Sequence, residues 1–99
     1  YIYIMKLISV ERTEGKPKEF KAVFLRDNGR TITTRFGTSS NFVLNPKITA
    51  EDKRNYLLRH KVRENWSDFT SAGSLSRHIL WETKSLTQNI KRFRIKFNL

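Results

Sequence analysis

The hydrophobic rhythm of the chain changes near its middle. Residues 5 to 36 carry short β-rich runs between polar breaks, and residues 49 to 97 place apolar side chains three and four positions apart. Met5 to Val10 predicts a strand, with Tyr1 to Ile4 as a candidate extension. Glu11 to Lys18 contains Gly15 and Pro17 and predicts a loop. Glu19 to Phe36 predicts a hairpin centred on Asp27-Asn28-Gly29-Arg30. Asn28-Gly29 suits a two-residue type I′ turn, in which both central residues take positive φ. That loop sets Leu25 opposite Ile32, Val23 opposite Thr34 and Lys21 opposite Phe36. One face then carries Val23, Leu25, Ile32 and Phe36 and is the expected core side. The other carries Phe20, Ala22, Phe24 and Arg26 beside Thr31, Thr33 and Arg35.

Gly37 to Ile48 reads as a connector holding the apolar triplet Phe42-Val43-Leu44, a short strand or a plug over the core. Thr49-Ala50-Glu51-Asp52 is a capping-box variant with early acids, so a helix is expected from Ala50 to about Arg63. Its apolar residues Tyr56, Leu57, Leu58 and Val62 do not share one stripe. Asn65 to Thr70 predicts a break. Ser71 to Trp81 predicts a shorter helix with Ala72, Leu75 and Ile79 on one side. Gly73 within it costs up to about 1 kcal/mol relative to Ala and marks a site where another backbone approaches closely. Trp66 and Trp81 are expected to clamp this helix, with Arg77 stacked on an aromatic ring or paired with Glu64 or Asp68. The last helix is the clearest. Ser85 and Gln88 form a capping-box pattern, and Leu86, Ile90, Phe93 and Phe97 fall within about 60° on a helical wheel. Three strands followed by three helices predict an α+β fold. A small antiparallel sheet in residues 1 to 44 packs against helices in residues 49 to 97, as one domain over residues 1 to 99.

Charge adds what the pattern cannot. Twenty Lys and Arg stand against nine Asp and Glu, a net charge of +11 on 99 residues. Such an excess points to a polyanionic partner. Cysteine is absent, which excludes disulfide staples and thiolate metal sites. No apolar run approaches the roughly 20 residues of a spanning helix. The short apolar start lacks a basic region and a cleavage site, so no signal peptide and no secretion are expected.

The cations group in three places. No acid occurs from Lys84 to Leu99, where the last helix carries Lys91, Arg92, Arg94 and Lys96. Arg59, Lys61 and Arg63 follow Lys53 and Arg54 at the end of the first helix. Arg26 and Arg35 flank the hairpin, with Arg30 in its loop. Contact with a phosphate backbone releases counterions at each neutralised phosphate, which gives affinity without sequence readout. Aromatic residues interleave with these charges. A sheet face with Phe20, Phe24, Arg26 and Arg35 would stack unpaired bases, although a domain this small also needs rings for its core.

Catalytic patterns are weak. His60 and His78 are the only histidines, and a metal site would need both plus carboxylates. Ser74 and His78 are one helical turn apart, but a serine nucleophile also needs an orienting acid and an oxyanion site. Glu51-Asp52 is the one adjacent acidic pair, and the helix cap accounts for it. No enzymatic activity, metal or cofactor is expected.

A resemblance lies in the second half. Tyr56, Arg59-His60, Glu64-Asn65-Trp66, Ser71-Ala72-Gly73-Ser74-Leu75-Ser76-Arg77, Ile79-Leu80-Trp81, Asn89-Ile90 and Phe93 are similar to short proteins of large double-stranded DNA viruses of algae and protists, the phycodnaviruses and their relatives. The resemblance spans about residues 5 to 99 and places the usual start at Met5. It brings no assigned activity and no site residues. It implies a viral setting, in the virion or in the cytoplasm or nucleus of the infected host cell, and a genome-associated or particle-associated role. The expected function is non-enzymatic binding of nucleic acid, DNA above all, through its phosphates. The competing expectation is a minor capsid or scaffold protein that docks on acidic capsid proteins and adds Tyr1 to Ile4 as a strand to a neighbour's sheet.

Overall fold

The computed structural model describes residues 5–38 and 40–99; the expected strand extension over residues 1 to 4 lies outside them. The fold is α+β. Strands β1 (Met5–Arg12), β2 (Phe20–Arg26) and β3 (Thr31–Phe36) form an antiparallel sheet in the order β1-β2-β3. Helix α1 (Ala50–Lys61) follows. Then comes α2 (Ala72–Leu75), which runs directly into a π-helical turn (Ser76–Leu80), and last α3 (Leu86–Phe97). The triplet Phe42-Val43-Leu44 forms turns rather than a strand. Buried Asn41 holds it, its Oδ1 accepting from the N–H groups of Val43 and Leu44, each at 2.9 Å.

The hairpin forms where expected but in another register. Phe20 pairs with Phe36, Ala22 with Thr34 and Phe24 with Ile32. The loop holds three residues, closed by Arg26 N–H on the Arg30 carbonyl (2.8 Å) and Gly29 N–H on the Arg26 carbonyl (3.0 Å). Gly29 takes φ +83° and Asn28 does not take a positive φ, so this is a type I turn closed by a left-handed glycine. Asn28 instead accepts the Arg30 N–H on its side chain at 3.0 Å. One extra loop residue turns the side chains of β2 to the other face, while Ile32 and Phe36 of β3 stay on the core side as expected. Phe20, Ala22 and Phe24 therefore point into the core, while Val23 and Leu25 point out. The slip buries two large rings in place of a valine and a leucine, and apolar burial scales with area.

A bulge in β1 completes this face. Leu7 pairs with Phe24 and Ser9 with Val23, leaving Ile8 as the extra residue. Met5, Leu7 and Val10 thus share the inner face despite their uneven spacing.

The helices cover that inner face. Leu75, Ile79, Leu80 and Phe93 are fully or almost fully buried against the sheet residues. The π turn lets four successive residues, His78 to Trp81, lie inside. Gly37 takes φ +74°, and a Cβ there would fall 2.2 Å from Leu80 Cδ1, so only glycine brings the end of β3 this close. The capping box at Thr49 forms, Thr49 and Asp52 exchanging hydrogen bonds at 2.9 and 3.1 Å; at Ser85 only half of the expected box does, its hydroxyl accepting the Gln88 N–H at 3.3 Å while its own N–H donates to the Thr83 hydroxyl at 3.1 Å.

Candidate nucleic-acid interface

The α3 stripe points inward as the wheel predicts, with Phe93 buried and Leu86, Ile90 and Phe97 packed against the core. The other side of the helix exposes Lys91, Arg92, Ile95 and Lys96. Arg94 belongs elsewhere. It is half-buried, and its Nη1 donates to the Leu7 carbonyl at 2.6 Å, tying α3 to β1. Three of the four α3 cations thus share an outward face, and the fourth serves the fold.

At the end of α1, Arg59, Lys61 and Arg63 are all exposed. Leu58 and Val62 stand out among them. Arg35 lies on the outer sheet face, paired across the ladder with Lys21, and shares a shallow hollow with Lys16 and Lys18. Arg26 lies on the inner face, in register with Phe24, beside a groove lined by Ile32, Phe69 and Phe97. The expected face joining Arg26 and Arg35 therefore does not form, because the register slip puts them on opposite sides of the sheet. The expected base-stacking platform fails for the same reason: Phe20 and Phe24 are 1% and 0% exposed.

The positive excess is not spent inside the molecule. Arg12, Lys21 and Arg77 pair with carboxylates. Lys53 and Lys84 donate to main-chain carbonyls around the Phe42 ring. Among the described residues, no Asp or Glu oxygen lies within 4.0 Å of Lys91, Arg92, Lys96, Arg59, Lys61, Arg63 or Arg35.

The break before α2 is a packed corner. The Trp66 carbonyl receives the Ser74 hydroxyl at 2.9 Å and faces His78 Nε2 at 3.4 Å. Ser74 and His78 therefore meet at one main-chain oxygen, and Ser74 is fully buried. Burial first, and the Arg77 charge second, lower the His78 pKa, so the ring is neutral near pH 7. Arg77 lies over the Trp66 ring at 5.3 Å and donates to Glu82 at 2.8 Å, rather than to Glu64 or Asp68. Burial raises the Glu82 carboxyl, but the hydrogen bond and charge of Arg77 outweigh it and the net shift is downward.

The residues that the sequence did not bring together lie between α1 and α2. Glu64 Oε1 accepts the Trp66 indole N–H at 3.0 Å, and Oε2 meets His60 Nδ1 at 3.1 Å. The carboxylate rests directly over Gly73, where a Cβ would lie 2.8 Å from Glu64 Cδ. Gly73 thus admits a side chain and not a second backbone. Among the described residues, no three of His, Asp and Glu gather as metal ligands. No helix among them is long and apolar enough to cross a membrane.

Comparison with protein-family models, with curated proteins and with solved structures finds no match to this chain.

Proposed function

We propose that the protein is a non-enzymatic binder of nucleic acid, DNA above all, held through the phosphate backbone. One observation carries this reading: the outward face of α3 presents Lys91, Arg92 and Lys96 with no carboxylate in reach. Arg59, Lys61 and Arg63 at the end of α1 extend the set, and Arg35 adds a weaker third patch. Arg94 and Arg26 are the least suited of the named cations, because one is engaged by β1 and the other sits on the inner sheet face. The resemblance to proteins of large DNA viruses fits a genome-associated role in the virion or the infected cell.

Anisotropy with labelled duplexes of two unrelated sequences tests the reading across a salt series. Both duplexes bind alike, and log K falls linearly with log salt at a slope of about −0.9 per phosphate contacted. Replacing Lys91, Arg92 and Lys96 together by Ala flattens the slope by about 2.7, the share of three contacts. Absence of binding at about 50 mM salt, where such contacts are strong, would remove the proposal.

A second reading rests on a different observation. Leu58, Val62 and Ile95 are 62%, 82% and 73% exposed within these cationic surfaces, and phosphates make no use of them. A protein surface with acidic and apolar patches would use both, as an acidic capsid protein does in a minor capsid or scaffold arrangement. The strand addition envisaged for Tyr1 to Ile4 lies outside the described residues. Co-sedimentation in fixed stoichiometry with the major capsid protein, insensitive to nuclease, would favour this reading over the first.

A further inference from the structure

Between α1 and α2 lies a cleft of about 500 Å³, within the size range of small-ligand sites. Tyr56, Arg59 and His60 line it from α1, Gly73 and Ser76 line it from α2 and the π turn, and exposed Lys18 joins them from the β1–β2 loop. Its aromatic content is ordered. Trp81, Tyr56 and His60 form one continuous stack, with centroids 3.9 and then 4.1 Å apart. Tyr56 is covered on both faces, and Trp81 is 9% exposed. The stack therefore opens only at His60, whose side chain is 38% exposed.

Glu64 fixes how that ring is presented. It engages Nδ1, and Tyr56 covers one face, so the open part of the imidazole is its other face and its Nε2 edge. The Trp66 indole and the close seat over Gly73 hold Glu64 in turn. A planar ring laid on His60 would become the fourth member of the stack. Arg59 and Lys18 supply positive charge in the same cleft, and neither has a carboxylate within 4.0 Å among the described residues. The Ser76 hydroxyl adds a neutral donor. A flat ring beside two cations and a hydroxyl is the recognition chemistry of a nucleotide.

We propose that this cleft binds a single nucleotide, its base stacked on His60 and its phosphate held by Arg59 and Lys18. The inference rests on the nucleic-acid reading for the source of that nucleotide, an unpaired residue of the bound strand. It gives the protein a preference for frayed or single-stranded positions, which backbone contacts alone do not supply.

Titration of the ¹⁵N-labelled protein with adenosine 5′-monophosphate, adenosine and inorganic phosphate tests it, with duplex binding measured on the same preparation. The monophosphate shifts the amides of Arg59, His60 and Ser76 and binds at least about tenfold more tightly than either fragment. His60→Ala weakens it by at least about fivefold, the lower end of one base stack, while His60→Phe, which keeps a ring, restores it. Phosphate alone binding as well as the nucleotide overturns the proposal, because the cleft is then an anion site only. No response to the nucleotide beside intact duplex binding overturns it as well and leaves the backbone reading standing. Nucleotide binding without duplex binding supports the cleft and removes the backbone reading.

Discussion

Tyr56 lies flat on Trp81, with ring planes 3° apart and centroids at 3.9 Å. Tyr56 is the one buried residue of α1, so this contact seats the whole helix. Leu57 packs beside it, and Lys53 donates to the Glu82 carbonyl. The rest of α1 faces outward, which explains why its apolar residues follow no single stripe. Tyr56→Ala is expected to cost about 3–5 kcal/mol, the range for losing a large buried ring. Hydrogen exchange locates the loss: α1 amides lose protection ahead of the sheet and α3. Tyr56→Phe keeps the stack and stays near wild type. Equal loss of protection in all elements would show that α1 does not depend on this seat.

The same ring titrates late. Burial, with Glu64 adding to it, pushes the Tyr56 phenol up to about 12. A folded pKa above the unfolded value near 10 means that the neutral form is preferred in the native state. The resulting stability is intact below pH 10 and is lost as pH rises towards 12. Ultraviolet titration shows a phenolate step near 12 that Tyr56→Phe removes. A step near 10 in its place would contradict the packing.

His78 sets the acid side. It is 8% exposed, and its rings' neighbours are Phe93 and Phe97 at 5.9 and 5.3 Å. Its lowered pKa means that the unfolded chain takes up a proton before the native state does. Stability from this group is complete above about pH 6.5 and falls as the medium is acidified below it. Tm therefore declines as the pH falls below about 6.5, before the carboxyls of Glu82 and Asp52, both held below their usual range, begin to protonate. His78→Gln flattens that stretch of the curve. An unchanged slope in this variant would assign the decline to another group.

Arg94 and Lys91 separate fold from interface. Both stand on α3, yet Arg94 donates to a carbonyl 87 residues away in the chain, and Lys91 is exposed. Arg94→Gln is expected to cost about 1.5–3 kcal/mol, as for a hydrogen bond from a charged group, and to leave the salt slope of DNA binding unchanged. Lys91→Gln does the reverse: stability stays within about 0.5 kcal/mol and the slope flattens by about 0.9. Chemical denaturation and the salt series read the two effects separately.

What the chain reveals in advance follows the range of the interactions involved. The caps at Thr49 and Ser85 are settled within four residues, and the α3 stripe within twelve, so local pattern reads them well. The hairpin register is not local. Asn28-Gly29 suits a two-residue loop, but the burial of Phe20 and Phe24 under Leu75, Ile79 and Phe93 decides for three. Arg94 looks like its neighbours until β1 supplies a carbonyl beside it. The cleft is the least legible feature, because Lys18, His60 and Gly73 meet only when α1 is seated on Trp81. Gly73 is a visible signal in the sequence, but it marks the Glu64 side chain and not a second backbone.

That pairing yields the sharpest test of the corner. Both oxygens of Glu64 are engaged, one by Trp66 and one by His60, so the carboxylate cannot retreat from a Cβ at position 73 without breaking a contact. Alanine is otherwise better than glycine in a helix by up to about 1 kcal/mol. In the wild-type background the clash outweighs this gain, and Gly73→Ala is destabilising by about 1 kcal/mol, the loss of one such hydrogen bond net of propensity. With Glu64→Ala already in place the obstruction is gone, and Gly73→Ala becomes stabilising. Denaturation of the two single variants, the double variant and the wild type closes the cycle, with an expected coupling of at least about 1 kcal/mol. An identical effect of Gly73→Ala in both backgrounds would mean that Glu64 does not occupy the space above the glycine, and His60 would then have no fixed partner to hold it open to the cleft.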